Sequence, residues 1–209
     1  MEEKTQNIID QAIVLFMQYG VKSLTMDDIA RHLGISKKTL YQVVSDKSEL
    51  VTRGIQCYID RDISQLNRMH IESENAIEEM FMIAQSMSGL LKQMHPSILF
   101  DLEKYYPKAF AQFEQYKLKD MLECVSQNIE DGIAQGYYRE NINIPIVARL
   151  YIGRMDDIFD QKLFPASEYN IKDVYLEAIR YHIRGIASEK GMEYLKTKFK
   201  SLDTQNPIF

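Results

Sequence analysis

The chain has no tryptophan, two cysteines, five prolines and nine glycines in 209 residues. So little turn chemistry disfavours a many-stranded sheet protein and excludes collagen-like or low-complexity sequence. Cys57 and Cys124 lie far apart, with no Cys-x-x-Cys and no histidine at ligand spacing. They read as buried or free thiols, and neither a metal site nor a cofactor is expected. The histidines, His32, His70, His95 and His182, are scattered. There is no His-Glu-x-x-His, no Gly-x-Ser-x-Gly and no phosphate-cradling glycine loop, so the pattern does not suggest an enzyme. No apolar run approaches the roughly 20 residues that span a bilayer. The first residues carry acids where a signal peptide would carry bases, which points to a cytoplasmic protein with no membrane partner.

What is present is helical. Hydrophobic residues make up 45% of the chain and recur at helical spacing, which predicts an all-α fold of about nine helices. The first runs from near Lys4 to Tyr19 and is closed by Gly20. Thr25 with Asp28 forms a capping box for a short second helix, ended by Gly34. Ser36 caps a third through Val43 or Val44, and Asp46 with Glu49 precedes a fourth reaching about Met69. Asn75 with Glu78 opens a fifth. Pro96 and Pro107 suit first helical positions, the latter starting one long segment ended by Gly136; Pro145 opens the eighth.

The ninth helix, from about Ile171 to Lys190, is apolar on two sides. At the helical period Val174, Ala178, Tyr181 and Gly185 fall on one face, and Leu176, Ile179, Ile183 and Ile186 nearly opposite. Asp173, Glu177, Arg180 and Arg184 form a strip between. One face packs within its own domain. The other either meets a second subunit, which the small Ala178 and Gly185 favour, or packs inside the same chain.

The net charge is -5, which argues against a generally basic surface for nucleic acid. A local exception stands out. Residues 25–44 read TMDDIARHLGISKKTLYQVV, a capped helix, a turn at Gly34 and a second capped helix. This is the spacing of a helix-turn-helix, whose second helix enters the major groove. With Leu40 and Val43 facing in, Lys37, Lys38, Thr39, Tyr41 and Gln42 lie on or near the exposed side. From Arg31 to Lys47 four basic residues face one acid, a local balance of +3, and phosphate binding needs only local charge.

The stretches IIDQAIVLFMQYG and LTMDDIARHLGISKKTLYQVVSDKSEL resemble the DNA-binding domain of the tetracycline-repressor-like (TetR) family of bacterial transcription regulators. The resemblance implies a three-helix helix-turn-helix domain over residues 1–46 and a helical ligand-binding and dimerisation domain over residues 47–209. It implies a cytoplasmic homodimer bound to a palindromic double-stranded DNA operator and released by a small-molecule effector. Thr25, Tyr41 and Lys47 would meet backbone phosphates. Ser36 would cap the recognition helix at the DNA, while Lys37, Lys38, Thr39 and Gln42 would read base edges. The dimer face would be Val174, Ala178, Tyr181 and Gly185. Val44 departs from the family pattern, which has a phenylalanine beneath the recognition helix.

Candidates for an effector pocket come from a stretch rich in Met, Phe, Tyr and polar side chains: Phe81, Gln85, Phe100, Tyr106, Phe113 and Tyr116. The same spacing also describes ordinary core. A helical DNA-organising or adaptor protein without a small-molecule switch is the alternative function.

Overall fold

The computed structural model describes residues 2–200; the outer ends of the two expected domains, residue 1 and residues 201–209, lie outside them. Among the described residues the elements are α1 Glu2–Tyr19, α2 Met26–His32, α3 Lys37–Tyr41, α4 Lys47–Glu72, α5 Ala76–Leu91, α6 Ile98–Tyr105, α7 Pro107–Tyr116, a π-helical turn Lys117–Met121, α8 Leu122–Ala134, α9 Ile144–Phe159, α10 Ile171–Ile186 and α11 Glu189–Lys200. The all-α expectation holds. No helix among the described residues is long and apolar enough to cross a membrane.

Four boundaries differ from the sequence reading, the first being α3, which ends at Tyr41, short of Val43. The segment opened by Pro107 is not one α-helix, because the backbone widens into a π turn at Lys117 before resuming at Leu122. Pro96 lies ahead of α6, not in it: Pro96 and Ser97 form a turn closed by Ile98 N donating to His95 O at 3.2 Å, and the helix begins at Ile98. The ninth helix does not reach Lys190. Ala187 is extended at φ -60 and ψ 141, because residues 186–188 pair with 137–139. Arg139 N donates to Ile186 O at 2.9 Å and Ser188 N to Tyr137 O at 2.9 Å. Ser188 then starts α11, its Oγ accepting from Gly191 N at 3.1 Å. A Cβ on Gly191 would stand 2.1 Å from Tyr137 O, so this close approach needs glycine. Hydrophobic periodicity continues through the break, which hid it from the sequence.

The chain forms two compact units, one through Ser64 with Gln93–Tyr116, the other Gln65–Lys92 with the chain from Lys117 onward. In the first, Ile8, Ile9, Ala12 and Phe16 of α1 pack with Ile29, Ala30, Leu40, Val44, Leu50, Ile98 and Leu102. In the second, α5, α8, α9 and α10 pack together around a buried polar knot. Asn128 Nδ2 donates to Glu79 Oε2 at 2.8 Å and Ala76 O at 2.9 Å, and Tyr138 Oη donates to Asn128 Oδ1 at 3.1 Å. A buried carboxylate survives because donors satisfy it.

Candidate nucleic-acid interface

The reader is built from two caps and a small apolar centre. Asp28 N donates to Thr25 Oγ1 at 3.1 Å and Thr25 N to Asp28 Oδ2 at 3.0 Å, so both orphan donors at the start of α2 are satisfied. The hydrogen bonds from Thr25 hold the Asp28 carboxyl below its ordinary range. Gly34, at φ 64, turns the chain where a side chain would be strained. Thr39 N then donates to Ser36 Oγ at 3.0 Å, starting α3. Leu40 is 0% exposed and Val44 2%; burying side chains of this size contributes roughly 1.5–3 kcal/mol each. Val44 therefore fills the core under α3 despite being smaller than the family's phenylalanine. Arg53 Nη1 reaches from α4 to Val43 O at 2.7 Å, tying down the end of the reader.

With Leu40 inward, the opposite side of α3 is open. Lys37, Lys38, Tyr41 and Gln42 are exposed, Ser36 is exposed at the cap, and Thr39 is half-buried with its hydroxyl 2.8 Å from that of Ser36. The two lysines differ. Lys37 Nζ lies 2.5 Å from Asp27 Oδ1, whereas Lys38 makes no ion pair among the described residues. Thr25 is exposed at the cap of α2. Lys47 is half-buried: its Nζ lies 3.5 Å from Lys22 O and 5.8 Å from the centre of the Tyr106 ring, and burial above all lowers its pKa.

Sequence reasoning missed the support behind this reader. Lys22, in the loop before α2, donates its backbone N–H to Asp101 Oδ2 of α6 at 3.0 Å, and Ser97 Oγ donates to the same oxygen at 3.0 Å. His95 N donates to Met17 O at 2.7 Å. Lys22 Nζ reaches Tyr105 Oη at 2.8 Å. No local pattern marks these residues, whose partners are distant in sequence.

The other expected sites fall as follows. On α10, Tyr175, Leu176, Ile179, His182, Ile183 and Ile186 are buried, while Val174 and Ala178 are partly exposed, Gly185 is exposed and Tyr181 is 68% exposed. Ile146 and Leu150 of α9 are also open, at 56% and 60%. Of the pocket candidates, Phe81 and Gln85 belong to the second unit, and Phe100, Tyr106, Phe113 and Tyr116 to the first. Gln85 and Phe100 are exposed, Phe81, Tyr106 and Phe113 half-buried, and Tyr116 buried.

A capped two-helix unit presenting an uncovered basic helix face defines a helix-turn-helix DNA-binding transcriptional regulator. Residues 8–53, which hold α2 and α3, match the model of the bacterial regulatory proteins of the tetR family. It is 25% identical over 187 residues to the uncharacterized HTH-type transcriptional regulator YvaF of Bacillus subtilis (strain 168), covering 88% of this chain and 96% of that protein. It is 25% identical over 143 residues to IcaR of Staphylococcus aureus (strain Newman), the HTH-type negative transcriptional regulator of the biofilm operon icaADBC, covering 66% and 71%. The fold matches the transcriptional regulator FadR from Bacillus subtilis, solved in complex with stearoyl-CoA, at TM-score 0.66 and 17% identity over 87% of this chain and 98% of that one.

Proposed function

We propose that the protein is a homodimeric repressor that grips a palindromic operator through α3 and releases it when a small molecule occupies its helical body. The observation that carries this is the open face of α3, anchored from behind by Leu40 and Val44 and bearing Lys38 with no ion-pair partner among the described residues. On this reading residues 1–46 read DNA and residues 47–209 sense and dimerise. Lys37, Lys38, Thr39 and Gln42 meet base edges, while Thr25, Ser36, Tyr41 and Lys47 hold phosphates. Lys37 exchanges Asp27 for DNA in the process.

The uncovered α10 face of Val174, Ala178, Tyr181 and Gly185, with Ile146 and Leu150 of α9, supports a self-complementary apolar dimer surface. Two readers on one dimer require half-sites about 34 Å apart. Negative control by IcaR and the stearoyl-CoA complex of FadR support repression and ligand control here. A ligand acts by preferring one reader spacing over another, and α4, which contributes residues to both compact units, is suited to carry that preference. Phe81, Gln85, Phe100, Tyr106, Phe113 and Tyr116 are the first positions to substitute in mapping the effector.

Footprinting across the DNA flanking the protein's own gene, at low salt, tests the reading. Protection of a palindrome by the dimer is expected; no protected palindrome anywhere in that DNA overturns it. Protection that no small molecule reverses would favour the DNA-organising alternative.

A further inference from the structure

The first compact unit holds an anion without a countercharge. Asp62, on α4, is half-buried, and its one carboxylate partner among the described residues is the Tyr116 hydroxyl of α7, which donates to Oδ2. Among those residues no lysine or arginine stands beside it to offset its desolvation. Such an uncompensated carboxylate is costly in a partly dry setting, and packing alone gives no reason to keep it.

Its surroundings are aromatic and acceptor-rich. Tyr58 sits one turn earlier on α4; burial first, and then the nearby Asp62 charge, raises its phenol. The Phe113 and Tyr116 rings of α7 stand 6.4 Å apart at 52°. One turn before Tyr116, and so on the same side of α7, Gln112 has a fully buried amide oxygen with no hydrogen-bond partner among the described residues. The carboxylate lacking a cation is thus tied to α7 through Tyr116, and the same stretch of α7 carries aromatic rings and an amide oxygen lacking a donor among the described residues.

We infer that Asp62, Tyr116, Phe113 and Gln112 form the head-group site for an organic cation, an alkyl- or arylammonium bearing N–H donors. The carboxylate supplies the countercharge, the rings the cation–π surface, and the Gln112 oxygen an acceptor. This rests on the ligand-released reading above and names the chemical class of the effector.

The test uses the full chain and three probes with one skeleton: phenylbutylammonium, phenylbutanol and phenylbutyrate, titrated by calorimetry. The ammonium is expected to bind about tenfold or more tightly than the alcohol, with the carboxylate weakest. In Asp62→Asn that preference should collapse to about twofold or less. Tyr116→Phe, which removes the competing donor and keeps the ring, should retain the preference and guards against misfolding of the first variant. Equal binding of alcohol and ammonium, absence of binding by the ammonium, or an unchanged preference in a folded Asp62→Asn protein overturns the inference. Operator protection is scored separately, so loss of the cation preference with protection intact rejects this site and spares the repressor reading.

Discussion

The backbone N–H of Lys22 donates to the carboxylate of Asp101 at 3.0 Å across 79 positions of sequence. Asp101 is 4% exposed and accepts from Ser97 as well, so one acid in α6 fixes the loop that leads into α2 and α3. Asp101→Ala should cost roughly 1 kcal/mol, because it removes the acceptor of two part-buried hydrogen bonds. The expected result is a lower urea midpoint together with faster exchange of the Lys22 amide. An unchanged exchange rate would show that the loop holds itself.

Leu40 and Lys38 lie close together on α3 and should fail differently. Leu40→Ala removes a side chain that is 0% exposed and should destabilise the fold by about 2–5 kcal/mol. Lys38→Ala should leave thermal stability within about 0.5 kcal/mol while weakening operator binding in a titration. If Lys38 meets a phosphate, the salt dependence also falls by about one counterion; if it reads a base, the loss concentrates on one base pair.

Gly185 lies on the open side of α10, and a Cβ there would meet nothing within 4 Å. Replacing it with arginine should therefore not harm the folded chain, and should raise helix propensity by up to about 1 kcal/mol. If this face joins two copies, Gly185→Arg places two like charges across the interface. Sedimentation should then show a monomer with unchanged or higher melting temperature, and operator affinity should drop steeply. A dimer that persists would move the interface elsewhere.

His182 is 6% exposed, its Nε2 has no hydrogen-bond partner among the described residues, and its ring lies 4.7 Å from that of Tyr151. Burial first, then the Arg154 charge, pushes its pKa down from 6.5 to about 4. The unfolded chain then takes up a proton between those values while the folded chain does not. Stability should be full above pH 6.5 and fall as the pH drops toward about 4, by about 3 kcal/mol in all. Denaturant midpoints at neutral and acidic pH measure this, and His182→Phe should flatten the contribution.

Asp62 has the opposite sign. Burial raises its carboxyl above the ordinary 3.8, so the folded chain holds the proton longer than the unfolded one. Its contribution is greatest in acid and declines as the pH rises through and above that value. Asp62→Asn should remove this decline and raise the melting temperature at neutral pH. A lower one would mean that the charge is better accommodated than its surroundings indicate.

Much of the reader was legible in sequence because its determinants are local. Thr25 with Asp28, Ser36 with Thr39, and Gly34 all act within three or four residues, and Leu40 declares its side by helical period alone. The apolar stripe of Leu176, Ile179, Ile183 and Ile186 on α10 was legible for the same reason, and these residues are buried. The break at Ala187 was not, because it depends on pairing with residues 137–139, nearly fifty positions earlier, and leaves the apolar period undisturbed.

The sequence by itself determined the helical class, the capped reader and the polarity of each helix, since these follow from backbone propensity and spacing. Tertiary structure alone decided which polar groups meet: Lys22 with Asp101, Tyr116 with Asp62, Asn128 with Glu79. Burial and hydrogen-bond partners are set by chain segments far apart in sequence, and only the fold brings them together.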